Sequence, residues 1–167
     1  MKTKLNLLLA PFAFLIFLGC DFNVPLVDQP QLPIDRNLTG LWVSANTNDT
    51  TDSLLVLPLD AQQYLVAYPA AHADSMYARA CLATSAAGTI VQLTWFGTAK
   101  GGTPDDARLY QYARYSVTND ALAVEMLNTS VIDKNIITSA ELAKAIETHK
   151  DDPDLFDKRM DFVRAKE

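Results

Sequence analysis

RLYQYARYSVTNDALAVEML, residues 108–127, is the stretch whose reading decides the fold. In an extended chain, side chains alternate between two faces. Leu109, Ala113, Tyr115 and Val117 then fall on one face, and Tyr110, Tyr112 and Arg114 on the other. Thr118-Asn119-Asp120 follows, with residues that tolerate turn conformations. Leu122, Val124 and Met126 resume the alternation. Two alternating runs around a short turn predict an antiparallel hairpin.

Outward from this hairpin the same texture continues. Residues 76–84, MYARACLAT, hold alanines that suit a helix but feed TIVQLTWF (89–96), a β-rich run; Ala86-Ala87-Gly88 between them predicts a turn and a second hairpin. KGGTPDD (100–106) is a loop. Further strands are expected at 39–46, 53–59 and 62–69, the last with Tyr64, Val66 and Tyr68 on one face. Thr138 and Glu141 fit a capping box, and Leu142, Ala145 and Ile146 recur at helical spacing to about His149. Asp152-Pro153 fits the start of a second helix, with Leu155, Phe156, Met160 and Val163 as its stripe. The expected fold is mainly β: an antiparallel meander of seven strands and then two short C-terminal α-helices, in one domain over residues 39–167. Closure into a barrel removes exposed strand edges; a curled sheet is the alternative.

Gly40-Leu41-Trp42, at the head of the first strand, resembles the G-x-W start of lipocalins and related calycins. The resemblance implies a barrel that carries a small apolar molecule, with a late arginine laid across the tryptophan. Arg114 is the candidate for that role. Without the resemblance, Trp42 is simply a core aromatic.

The N-terminus carries a different signal. Lys2 and Lys4 precede an uncharged, apolar run at 5–18, and Gly19 follows. That is the layout of a secretory signal peptide, residues 1–19. The run is too short for a transmembrane helix, which needs about 20 apolar residues. Phe17-Leu18-Gly19-Cys20 resembles the lipobox of bacterial lipoproteins. Phe17 and Leu18 stand where that family usually has leucine and a small residue. The resemblance implies cleavage before Cys20, a diacylglycerol on its thiol and usually a further acyl chain, such as palmitate, on its amine. Two or three chains hold a protein on a bilayer without spanning it. Asp21 matches a residue that retains enterobacterial lipoproteins in the inner membrane, so the periplasmic face of that membrane is favoured over the outer membrane. Residues 20–38, with Pro25, Pro30 and Pro33, are expected to form the anchor and a semi-extended tether; the alternative is an ordered strand laid across the domain by Val24, Leu26 and Val27. More broadly, a tryptophan-bearing first strand, a meander and a helical C-terminus resemble small bacterial envelope lipoproteins.

Several functions are disfavoured. The net charge of −6 argues against nucleic acid, which requires a basic face. No phosphate-binding glycine motif is present. His72 and His149 are far apart in sequence, without ligand spacing, so neither a metal nor a cofactor is expected. The aspartates at 151, 152, 154 and 157 lack EF-hand spacing and fit capping and solvation instead. Cys81 is expected to be a buried small hydrophobe. No catalytic residue is expected. Trp42, Tyr64, Tyr68, Trp95, Tyr110, Tyr112 and Arg114 form the candidate surface, since tyrosine joins an apolar ring to a polar tip. The expected function is non-enzymatic: a membrane-anchored protein of the bacterial envelope that binds a protein partner or a small ligand, or alternatively carries an apolar molecule.

Overall fold

Eight strands close on themselves in the computed structural model, which describes residues 21–46, 52–102 and 109–166. They are β1 Gly40–Ser44, β2 Ser53–Pro58, β3 Gln63–Tyr68, β4 Met76–Ser85, β5 Gly88–Thr98, β6 Tyr110–Val117, β7 Ala121–Leu127 and β8 Phe156–Arg164. Each pairs antiparallel with the next, and β8 returns to β1 through Trp42↔Arg164, Val43↔Val163 and Ser44↔Phe162. The meander and the two hairpins, β4 with β5 and β6 with β7, are as expected.

The C-terminal expectation fails in one element. A single α-helix, α1 Ser139–Thr148, is present among the described residues, and the stretch expected as a second helix is β8. Met160 and Phe162 face the barrel interior while Arg159, Asp161 and Val163 face outward. A bulge opposite Val124–Met126, with Lys158 at φ 49°, breaks the alternation after Phe156 and gives the run its helix-like spacing. Asp152 does not cap a helix; its carboxylate accepts from the Asp154 amide in a tight turn. Pairing decides the outcome: without β8, both β1 and β7 would present bare edges.

Strand lengths and connections make the two ends unlike. At one end the chain turns back within a few residues, at 59–62, 86–87 and 118–120. The longer connections, 45–52, 69–75, 99–109 and 128–155, all leave from the other end, here called the mouth. A 3₁₀ turn, Arg36–Leu38, closes the short-turn end, with Leu32, Ile34 and Leu38 packed on the barrel core.

A second apolar cluster lies outside the barrel. Leu142 and Ile146 of α1 pack with Ile132 and Leu155 over Ile90, Tyr112, Leu127 and Phe156 on the outer wall. Thr138 caps α1 as expected, accepting from the Glu141 amide and donating to its carboxylate.

Phe22 joins this cluster, so the segment expected as a tether is packed along the wall. β7 parts from β6 beyond Ala113↔Met126, which leaves the start of β6 with a bare edge. Phe22 takes it, exchanging backbone hydrogen bonds with Tyr110 at 3.0 and 3.1 Å. Further along, the buried Gln92 amide accepts from the amides of Leu26 and Val27 and donates to the Val27 carbonyl. Tyr112 donates to the Val24 carbonyl. Prolines without amide donors fit such a path, because side chains rather than a ladder satisfy it.

Candidate functional site

The barrel encloses a cavity of about 100 Å³. One water needs roughly 10–15 Å³ by a comparable measure, so the lumen is hollow rather than filled. Inward positions of seven strands build it: Leu54 and Val56 of β2, Val66 of β3, Val91 and Leu93 of β5, Val124 and Met126 of β7, and Met160 and Phe162 of β8, among others. Eight strands give an interior that either fills with side chains or holds one small ligand. Alanines at 80 and 113 leave the space here.

Polar groups at the lumen are turned away from it or paired. Trp95 donates its indole N–H to Gln111 Oε1 at 2.8 Å. Tyr64 donates to the Asp35 carbonyl at 3.2 Å and accepts from the Asp35 amide at 2.6 Å. Tyr115 reaches the Asp35 carboxylate at 3.4 Å. Burial pushes the Tyr64 phenol up to about 12, and burial with the nearby Asp35 raises that of Tyr115. Among the described residues, the lining contains no carboxylate, amine, imidazole or thiol. What remains is an apolar chamber suited to holding a molecule by dispersion and desolvation.

The aromatic group predicted as one surface is split by the wall. Tyr64, Tyr68 and Trp95 line the cavity. Trp42 is fully buried in the core at the short-turn end and donates its indole N–H to the Leu38 carbonyl. Tyr110, Tyr112 and Arg114 lie on the outer face of β6, where Tyr112 is buried beneath the N-terminal segment. Gln111, Tyr115, Met160 and Phe162 were missed as lining residues. Gln111 and Tyr115 share the parity of Ala113, so the alternation already pointed to them.

The arginine across Trp42 is Arg164, not Arg114. Its guanidinium lies 4.1 Å from the indole ring and donates to the carbonyls of Asn37, Thr39 and Asn119. Gly40, at φ 132°, makes room: a Cβ there would sit 2.7 Å from Arg164 Nη1. Arg114 instead forms a two-point ion pair with Glu125 on the neighbouring strand and lies over Phe156.

A second cleft, of about 290 Å³ and mixed polarity, runs between the N-terminal segment and the outer wall. It is larger, but its walls are the surface of the barrel rather than its interior. Cys81 borders it, buried, with its thiol pKa pushed up by that burial, so the thiolate is disfavoured. His72 and His149 each lie within 4 Å of one aspartate, at partly exposed sites away from both cavities. No group of three metal-ligating side chains occurs among the described residues. Cys20 lies outside the described residues; Asp21, next to it, donates its amide to the Tyr110 carbonyl and receives a 3.4 Å hydrogen bond from Gln111. No protein-family model matches the chain, and neither the curated proteins nor the solved structures provide a significant match.

Proposed function

We propose that this chain is a non-enzymatic, lipid-anchored protein of the bacterial envelope whose barrel binds a small apolar molecule or one stretch of an aliphatic chain. The observation that carries the ligand reading is the hollow, apolar lumen, whose polar neighbours are engaged with one another or with Asp35. Gly40, Trp42 and Arg164 support the lipocalin-like reading, because their arrangement resembles the glycine, tryptophan and late arginine of that family. The lipobox-like Phe17-Leu18-Gly19-Cys20 and the preceding apolar run support the anchor.

Linear alcohols of six to twelve carbons, titrated against the fluorescence of Trp95, test the ligand reading. Binding at micromolar concentrations, worth about 8 kcal/mol, is expected for the best member. Ala113→Phe fills the lumen and is expected to weaken binding at least tenfold. If no alcohol saturates, or the filled barrel binds as well, the reading fails. For the anchor, Cys20→Ala is expected to release the protein from the membrane fraction; normal processing with continued membrane attachment would overturn it.

A protein partner is the second reading. Leu41, Val43, Leu57 and Val163 form an exposed apolar stripe on the outer faces of β1, β2 and β8.

A further inference from the structure

We infer that the barrel meets the bilayer mouth-first, with the rim at the start of β6 as its membrane-contacting edge. The inference rests on the lipid-anchor reading and adds to it an orientation that a flexible tether would not impose. Asp21 follows Cys20 directly, and Asp21 and Phe22 are both bonded to Tyr110, the first residue of β6. Phe22 is fully buried, its ring 5.3 Å from that of Tyr112. Gln92 and Tyr112 then hold residues 24–27 against the wall. Acyl chains on Cys20 would therefore enter the bilayer about one residue, some 3.8 Å of Cα spacing, from the place where the chain is fastened.

The fastening point lies at the mouth. β6 begins there and runs to the short-turn end at Val117. Its 8 residues span roughly 26 Å, or about 20 Å of barrel height at the usual tilt. The same rim presents apolar side chains to solvent: Phe96 is 47% exposed and Leu109 37%. The Trp95 amide donates to the Leu109 carbonyl, which holds Leu109, the residue before β6, against β5 next to Phe96 and beside the fastening point. Aromatic and aliphatic side chains next to an acyl anchor suit the interfacial region of a bilayer. The apolar stripe on β8, β1 and β2 lies two to four strands around the ring from β6, away from the fastening point. In this orientation the cavity faces the membrane, so a membrane-dissolved apolar molecule is the nearest source of ligand.

The test uses the full-length protein, lipidated in a bacterial host and reconstituted in phosphatidylethanolamine–phosphatidylglycerol vesicles containing a headgroup-nitroxide lipid. In a Cys81→Ala background, a fluorophore is attached at Lys100→Cys (mouth), Asn119→Cys (short-turn end) or Leu57→Cys (opposite wall). Quenching at Lys100→Cys is expected to exceed that at the other two by at least threefold. Equal or greater quenching at Asn119→Cys or Leu57→Cys overturns the orientation, as does the absence of quenching at all three sites on vesicle-bound, lipidated protein. Mass spectrometry of the N-terminal peptide separates the two readings: without lipid on Cys20 the anchor itself falls and the orientation with it.

Discussion

At the scale of single residues, two arginines on the wall have opposite importance. Arg164 holds three backbone carbonyls and an indole face together where the first and last strands meet. Hydrogen bonds to a charged group contribute about 1.5–3 kcal/mol each and a cation–π contact about 0.5–2 kcal/mol, and two of the three bonds here are exposed to solvent, which places them at the low end. These contributions are not additive, so Arg164→Ala is expected to cost about 2–4 kcal/mol in denaturant unfolding. Arg114 and Glu125 form an exposed ion pair, and Arg114→Ala should cost less than about 1 kcal/mol. Equal losses would contradict this assignment. Gly-x-Trp was legible in the sequence through its resemblance to the start of lipocalins. Which arginine lies across Trp42 was not legible: Arg164 is 124 positions away from Gly40, and only the β1–β8 pairing brings it opposite Trp42.

At the scale of elements, local pattern was reliable where a strand met its sequence neighbour. The turn residues at 86–88 and 118–120 and the alternation on each side predicted two hairpins, because register and turn are local properties. It failed for β8, whose partners β1 and β7 lie far away or beyond an intervening helix. The N-terminal segment is a similar case: no local pattern distinguishes a tether from a segment held by Gln92. That single amide satisfies three backbone groups. Gln92→Ala is therefore expected to leave the barrel folded while the amides of Leu26 and Val27 lose protection in hydrogen exchange, with a stability loss of about 1–2 kcal/mol. Unchanged protection at both amides would show that packing alone holds the segment.

At the scale of the whole molecule, buried phenols couple the fold to alkaline pH. Tyr64 ionises at about 10 when unfolded and about 12 when folded, because burial penalises the phenolate. Its contribution is therefore fully present below pH 10 and is lost as pH rises towards 12. Tyr112, raised further by burial, acts in the same direction. Denaturant-unfolding stability is expected to fall by the order of 2 kcal/mol between pH 9.5 and 11.5, and Tyr64→Phe should flatten that slope. A slope unchanged by the substitution would place the titrating groups elsewhere. The sequence by itself determined the β class, the order of the first seven strands, the capped helix and the parity of most inward side chains, because alternation and turn chemistry act over a few residues. Only the tertiary structure decided that the last segment is a strand, that the ring closes, that Arg164 lies on Trp42 and that Tyr64, Tyr68 and Trp95 face a chamber while Tyr110 and Tyr112 face away. Those outcomes depend on bare strand edges being satisfied by distant parts of the chain, and no local pattern records which distant part will do it.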